Sequence, residues 1–210
     1  LIVHTHTTEA FMSADEGFYY ESFYARSQDP SQNVVHVGDA IAAQLQKAGI
    51  GVIHDTTVHD YPSYNGSYSR SAQTIAKNLK QYPSIQVVLD IHRDALTASD
   101  GTKKKPTVKI NGKKAAQIMI YAGCDDDGTL GFPGWEYNLR FALRLQQSVE
   151  TLYPGLTRPL FFEGSKYNMD MTHGSLLIEI GTDANTVDEV AYSGELVGNA
   201  LSQVLNQLTT

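Results

Sequence analysis

A chain of 210 residues that is 41% hydrophobic and 19% charged can bury one sizeable core and is not compositionally disordered, so a single domain over residues 1–210 is expected. Its formal net charge of -7 argues against a nucleic-acid binder, which usually carries a basic patch. The lone cysteine, Cys124, excludes an internal disulfide and any thiolate metal cluster, and reads as structural.

In chain order, "LIVH" reads as a buried strand whose polarity changes abruptly at Thr5, as where a strand gives way to its carboxyl-end loop. A polar, aromatic stretch from Ser13 to Gln32 reads as a long loop. In "NVVHVGDAIAAQLQKAGI", Val34, Val37, Ile41 and Leu45 recur at helical spacing, and Gly49 stands where a helix would be closed. "GVIHDT" predicts a short strand, "SYSRSAQTIAKNLKQYP" a helix ended by Pro83, and "IQVVLDIH" a buried strand. Asn111-Gly112 between two apolar runs predicts a hairpin with a type I′ turn. "PGWEYNLRFALRLQQSVETLYPG" predicts a long amphipathic helix, "GSLLIEIG" a buried strand, and "TVDEVAYSGELVGNALSQVLNQL" a closing helix. Lys103 to Lys105 reads as a solvated loop, and "CDDDGTLGFPGW" as a loop able to shape a groove. The alternation predicts an α/β fold: a doubly wound, mostly parallel twisted sheet with helices on both faces, plus the hairpin.

Three of these strands bring chemistry to their carboxyl ends, the edge where α/β sheets bind ligands. "LIVHTHTTE" supplies His4, His6 and Glu9; "VVLDIHRDA" supplies Asp90, His92, Arg93 and Asp94; "SLLIEIG" supplies Glu179. Hydrolytic zinc centres use three protein ligands drawn from histidine and carboxylate, with a fourth position for water and a separate carboxylate to take its proton. His6, Glu9 and His92 as ligands, with Glu179 as general base, meet that requirement. His6 stands nearer the edge than His4, and a turn beginning at Thr7 would return Glu9 to the same ion. The competing reading is structural: hydrogen-bonded histidines, and Glu179 paired with Arg93 or Arg70. Glu179 lies among Leu176, Leu177, Ile178 and Ile180, where an unpartnered carboxylate would cost several kcal/mol. Arg93 could stabilise an oxyanion or bind a substrate carboxylate, or neutralise Asp90 or Asp94. His54 and His59 read as structural, and the tyrosines of "HDYPSYNGSYSRS" as able to stack on sugar or peptide.

"HTHTTEAF", "GVIHDTTVHDYPSYNGSYSRS", "VVLDIHRDA" and "GSLLIEIG" together resemble the catalytic domain of the stage II sporulation protein P family, from Leu1 to the last helix. That family is similar in fold to the zinc N-acetylmuramoyl-L-alanine amidases and, more distantly, to the zinc carboxypeptidases. The resemblance implies a Zn2+-dependent peptidoglycan hydrolase that cuts the muramoyl-L-alanine amide and the stem-peptide cross-links during forespore engulfment. It also implies an extracytoplasmic place, anchored to the mother-cell membrane by an N-terminal helix that this sequence lacks, with sporulation proteins D and M as partners. The related amidases draw a carboxylate ligand from near "SQNVVHVGD", where this chain has Asn33 and His36; Glu9 takes that role by analogy with the His-x-x-Glu pair of the carboxypeptidases. A non-catalytic peptidoglycan-binding module and a carboxypeptidase trimming stem peptides are the other readings.

Overall fold

The computed structural model describes residues 1–20 and 22–208, so that residue 21 of the Ser13 to Gln32 loop lies outside the described residues. The elements are β1 (Ile2–Val3), α1 (Val34–Lys47), α2 (Ser67–Gln81), β2 (Val88–Asp94), β3 (Thr107–Ile110), β4 (Lys113–Ala116), β5 (Ile118–Cys124), α3 (Trp135–Leu152), β6 (Phe161–Gly164), β7 (Ser175–Thr182) and α4 (Val187–Leu208), with a single 3-10 turn at Met169–Met171.

Five strands form one sheet in the order β1-β2-β7-β5-β6. The β1, β2 and β7 strands run parallel; β5 pairs antiparallel with β7, and β6 parallel with β5. The sheet is therefore mostly parallel by pairing, and the carboxyl ends of β1, β2 and β7 share one edge.

Alternation along the strands sorts the two faces. Leu89, Ile91, Ile118, Ile120, Leu176, Ile178 and Ile180 join a core with Val34, Val37, Ile41 and Leu45 of α1, Phe141, Leu145 and Val149 of α3, and Val190, Val197 and Leu201 of α4. On the opposite face Ile75 of α2 packs on Val3 and Val88. Helices thus cover both faces, as a doubly wound sheet requires. The second face carries β2 residues Asp90 and His92 and β7 residue Glu179, brought side by side because His92 pairs in register with Glu179.

The predicted hairpin is formed by β3 and β4. Asn111 and Gly112 have φ of 48° and 84°, the pair of positive values that a type I′ turn needs. Gly49, at φ 80°, follows the end of α1 as expected. The segment "GVIHDT" differs from the prediction: it makes one parallel bridge, Ile2 with His54, and no strand of its own. With β1 only two residues long, there is little edge for it to pair with.

Candidate metal centre

The β1 strand stops at Val3 because the next residues turn their polar groups inward. Thr5 donates from its backbone and hydroxyl to Asp90 Oδ1 and Oδ2 at 2.8 and 2.6 Å. Thr8 donates its N–H and hydroxyl to buried Asp60, which also accepts from Arg26 Nη1 at 2.7 Å. The Glu9 N–H then closes a turn onto the His6 carbonyl at 3.0 Å. That turn brings the Glu9 carboxylate back beside His6.

Three donors converge here. Glu9 Oε1 lies 3.5 Å from His6 Nδ1, and Glu9 Oε2 lies 3.4 Å from His92 Nδ1. All three residues are buried, and their donor atoms fall within 4.8 Å of one another. Ligands at about 2.0 to 2.2 Å from a tetrahedral zinc stand about 3.3 to 3.6 Å apart; each imidazole lies at such a distance from one Glu9 oxygen, His6 from Oε1 and His92 from Oε2. His92 Nε2 is 3.0 Å from Asp90 Oδ1 by a bent approach that leaves it without a straight hydrogen bond. Asp90 nonetheless sits where a carboxylate orients a metal-ligating histidine from behind.

The electrostatics agree with a site built for a cation. Burial opposes ionisation of Glu9, but hydrogen bonds from His6 and His92 and the charges of His92 and Arg93 hold its carboxyl well below the usual range. Burial likewise opposes charge on His92, and the Asp90 carboxylate, then Glu9, outweigh it and keep the imidazole protonated well above its ordinary value. A metal ion would take the place of that proton. Glu179 is different: it is half-buried, its Oε2 is enclosed and without a partner, and burial pushes its pKa up to about 8. The charges of Glu9 and Asp94 add to that rise, and those of His92 and Arg158 oppose it.

Arg93 is not placed as expected for a substrate-binding residue. It is buried, and its guanidinium donates to the carbonyls of Ala10, Asp94 and Ala25. Its backbone N–H donates to Glu9 Oε2 at 3.1 Å. It ties the Glu9 loop to β2 through three of its guanidinium N–H groups. His4 faces away from the three donors, fully buried, with Nδ1 on the Ile91 carbonyl and Nε2 on His54 Nε2 at 2.8 Å. His59 reaches the His4 carbonyl and the Thr74 hydroxyl, both structural contacts. Asn33 caps α1, accepting from the Val35 N–H, so the helix start brings no ligand to the cluster.

Sequence reasoning gave no role to Asp60 and missed Arg26, which together brace the metal turn, and Arg158, which spans to Asp94 at 2.9 Å. No local pattern marks them, because each acts across more than thirty residues. Two tyrosines of the 61–70 segment, read from sequence as able to stack on sugar or peptide, stand against the proposed ligand His6. Tyr64 stacks on His6 with centroids 4.6 Å apart, and Tyr68 meets the same ring edge-on at 5.4 Å.

The model of the family described as Stage II sporulation protein P matches residues 1–202. Stage II sporulation protein P of Bacillus subtilis (strain 168) is 28% identical over 214 residues, an alignment covering 97% of this chain and 50% of that protein. The chain therefore spans about half the length of this curated relative. Among solved structures, an N-acetylmuramoyl-L-alanine amidase from Clostridium difficile 630 is similar with a TM-score of 0.53, 15% identity, and 96% and 98% of the two chains covered. The CwlD amidase from Clostridioides difficile, solved in complex with the GerS lipoprotein, gives 0.53 at 13% identity over 87% and 90% of the chains. Ami1 from Mycobacterium abscessus gives 0.51 at 12% identity over 99% and 93%. At these identities the likeness is one of fold.

Proposed function

The chain belongs to the Stage II sporulation protein P family, and we propose that it is a zinc-dependent peptidoglycan hydrolase. The bonds cut are the N-acetylmuramoyl-L-alanine amide and the stem-peptide cross-links. The observation that carries this reading is the placement of Glu9 between two imidazoles, with one oxygen toward His6 and the other toward His92, beside a half-buried, unpartnered Glu179.

His6, Glu9 and His92 would hold the zinc, which supplies Lewis-acid polarisation of the amide carbonyl and a more acidic water. Glu179 takes a proton from the attacking water at Oε2 and returns it to the departing amide nitrogen. Its raised pKa suits both halves of that exchange, since a base near neutrality accepts and releases protons with little penalty. Arg93 holds the Glu9 loop against β2.

The family resemblance supports a role in forespore engulfment, with sporulation proteins D and M as partners at the mother-cell membrane. Among the described residues no helix is long and apolar enough to cross a membrane. Digestion of purified sacculi by the zinc-loaded domain tests the activity. Whole stem peptides freed from glycan are expected; release of single amino acids would mark a carboxypeptidase, and no release with zinc bound would mark a binding module.

A further inference from the structure

The loop that leads into β6 sends one arginine, Arg158, back across the sheet edge. Its backbone is pinned from several sides. The Arg158 N–H donates to the Ile118 carbonyl at 2.7 Å, and its carbonyl accepts from Gln146 Nε2 at 3.2 Å. The preceding Thr157 gives its N–H and hydroxyl to Glu150 Oε1, each at 2.7 Å. Thr157 also bridges Ile118, whose side chain belongs to the core of the first face. Alternation then puts the Arg158 side chain on the opposite face, the one that carries Glu179.

There Arg158 Nη1 meets Asp94 Oδ2 at 2.9 Å, while Nε and Nη2 are enclosed and have no hydrogen-bond partner. Those two nitrogens lie on one side of the guanidinium and donate in parallel, which makes them the edge that grips a two-oxygen acceptor. Enclosed N–H groups left unbonded cost stability, and more so on a charged group. The Arg158 charge opposes the rise in the Glu179 pKa that burial imposes, yet the two residues make no ion pair, and Glu179 Oε2 is itself unpartnered. A donor fork and a proton acceptor thus stand at one sheet edge, each with a face unbonded within the protein.

We propose that Arg158 determines specificity by taking a carboxylate of the substrate on its Nε–Nη2 edge, beside the scissile amide, so that the centre prefers acidic peptides to neutral ones. The proposal rests on the hydrolase reading for the identity of that amide. Sheet order sets where the anion lies. The metal donors come from the β1 and β2 side, Glu179 from β7, and Arg158 is bonded to β5, so the fork lies beyond Glu179 from the His6, Glu9 and His92 group. That position suits a substrate group next to the reacting carbonyl rather than the carbonyl itself. Glu9, Asp94 and Glu179 already crowd this edge with negative charge, which favours a singly charged carboxylate over a phosphate dianion. The Arg158 and Asp94 side chains keep 17% and 23% of their surface open, so the pair stands at the rim of the edge. Binding turns the fork outward about the Asp94 bond and gives its enclosed donors the acceptor they lack.

The test compares two probes by calorimetry on the zinc-free protein: N-acetylmuramoyl-L-alanyl-D-glutamate, and the same compound with both carboxyl groups amidated. The acid should bind at least about tenfold more tightly than the diamide, the worth of one charge-assisted pair. Arg158→Gln should remove that preference by weakening the acid alone, with zinc stoichiometry and melting temperature read alongside. Should that variant fold poorly, Arg158→Lys keeps a cation for Asp94 without the fork, and should lose most of the preference. Equal binding of acid and diamide by the wild type, or a wild-type preference in a folded Arg158 variant, overturns the inference. Turnover separates it from the hydrolase reading, because the zinc-loaded enzyme should cleave the acid with a higher kcat/KM than the diamide. Cleavage of both at the same kcat/KM would keep the hydrolase and discard the subsite. A carboxylate preference that Arg158→Gln abolishes, with neither compound cleaved, would keep the subsite and discard the hydrolase.

Discussion

Glu9 is the residue on which the metal centre turns, because its two oxygens face different imidazoles and no other carboxylate among the described residues joins that cluster. Glu9→Ala should cut zinc affinity sharply, whereas Asn33→Ala should keep zinc and cost only the cap of α1, about 1 kcal/mol. Zinc titration against a chromogenic chelator and thermal melts separate the two, and a zinc loss in Asn33→Ala would move the ligand to the helix. Glu179→Gln should keep zinc and lower turnover at least about 100-fold. The same substitution has a signature in stability. Glu179 has its folded pKa raised from 4.5 to about 8, so the folded state binds the proton more tightly than the unfolded one. Its contribution is fully present below pH 4.5 and is lost as pH rises to about 8. In chelator, the wild-type melting temperature should therefore fall between pH 5 and pH 8 by more than that of Glu179→Gln; parallel curves would contradict the raised carboxyl.

At the scale of elements, the helices were legible because their apolar residues repeat at the helical period, as Val34, Val37, Ile41 and Leu45 do, and each is buried. Asn111-Gly112 announced its hairpin because few other pairs accept two positive φ values. The His6 to Glu9 turn was legible from its i, i+3 spacing. Features that depend on distant partners were not. Arg93 reads in sequence as a cation beside a ligand, and only the carbonyls of Ala10 and Ala25, far away in the chain, reveal that its guanidinium is occupied. The β6 strand lacks a buried face, with all four residues exposed, so no alternation marks it. The approach of α4 to α1 also depends on tertiary context: a Cβ on Gly198 would lie 2.9 Å from the Ile41 carbonyl, and one on Gly194 3.0 Å from that of Val37. Both neighbours are backbone and cannot swing aside, so Gly198→Ala should destabilise the fold by about 1–3 kcal/mol in denaturant titration. A neutral result would mean that the helices separate more freely than this contact allows.

For the molecule as a whole, strand direction decides how many centres the fold can build. The β1, β2 and β7 strands run the same way, so the loops after β1 and β2 and the Glu179 segment of β7 meet at one edge. The β5 and β6 strands run the other way and deliver their carboxyl ends, with Cys124, to the opposite edge. Among the described residues the His6, Glu9 and His92 group is the one cluster of possible metal ligands. Two different amide bonds, the muramoyl-L-alanine bond and the peptide cross-link, would then have to be cut at a single place. His92→Ala removes one ligand and leaves Glu9 and Asp90 without the imidazole between them, so zinc and both cleavages should be lost together. Mass spectrometry of sacculi digested by this variant should show neither freed stem peptides nor resolved cross-links. If one product persisted at wild-type level, the surviving reaction would need a second centre that this topology does not supply, and the assignment of both activities to one zinc site would fall.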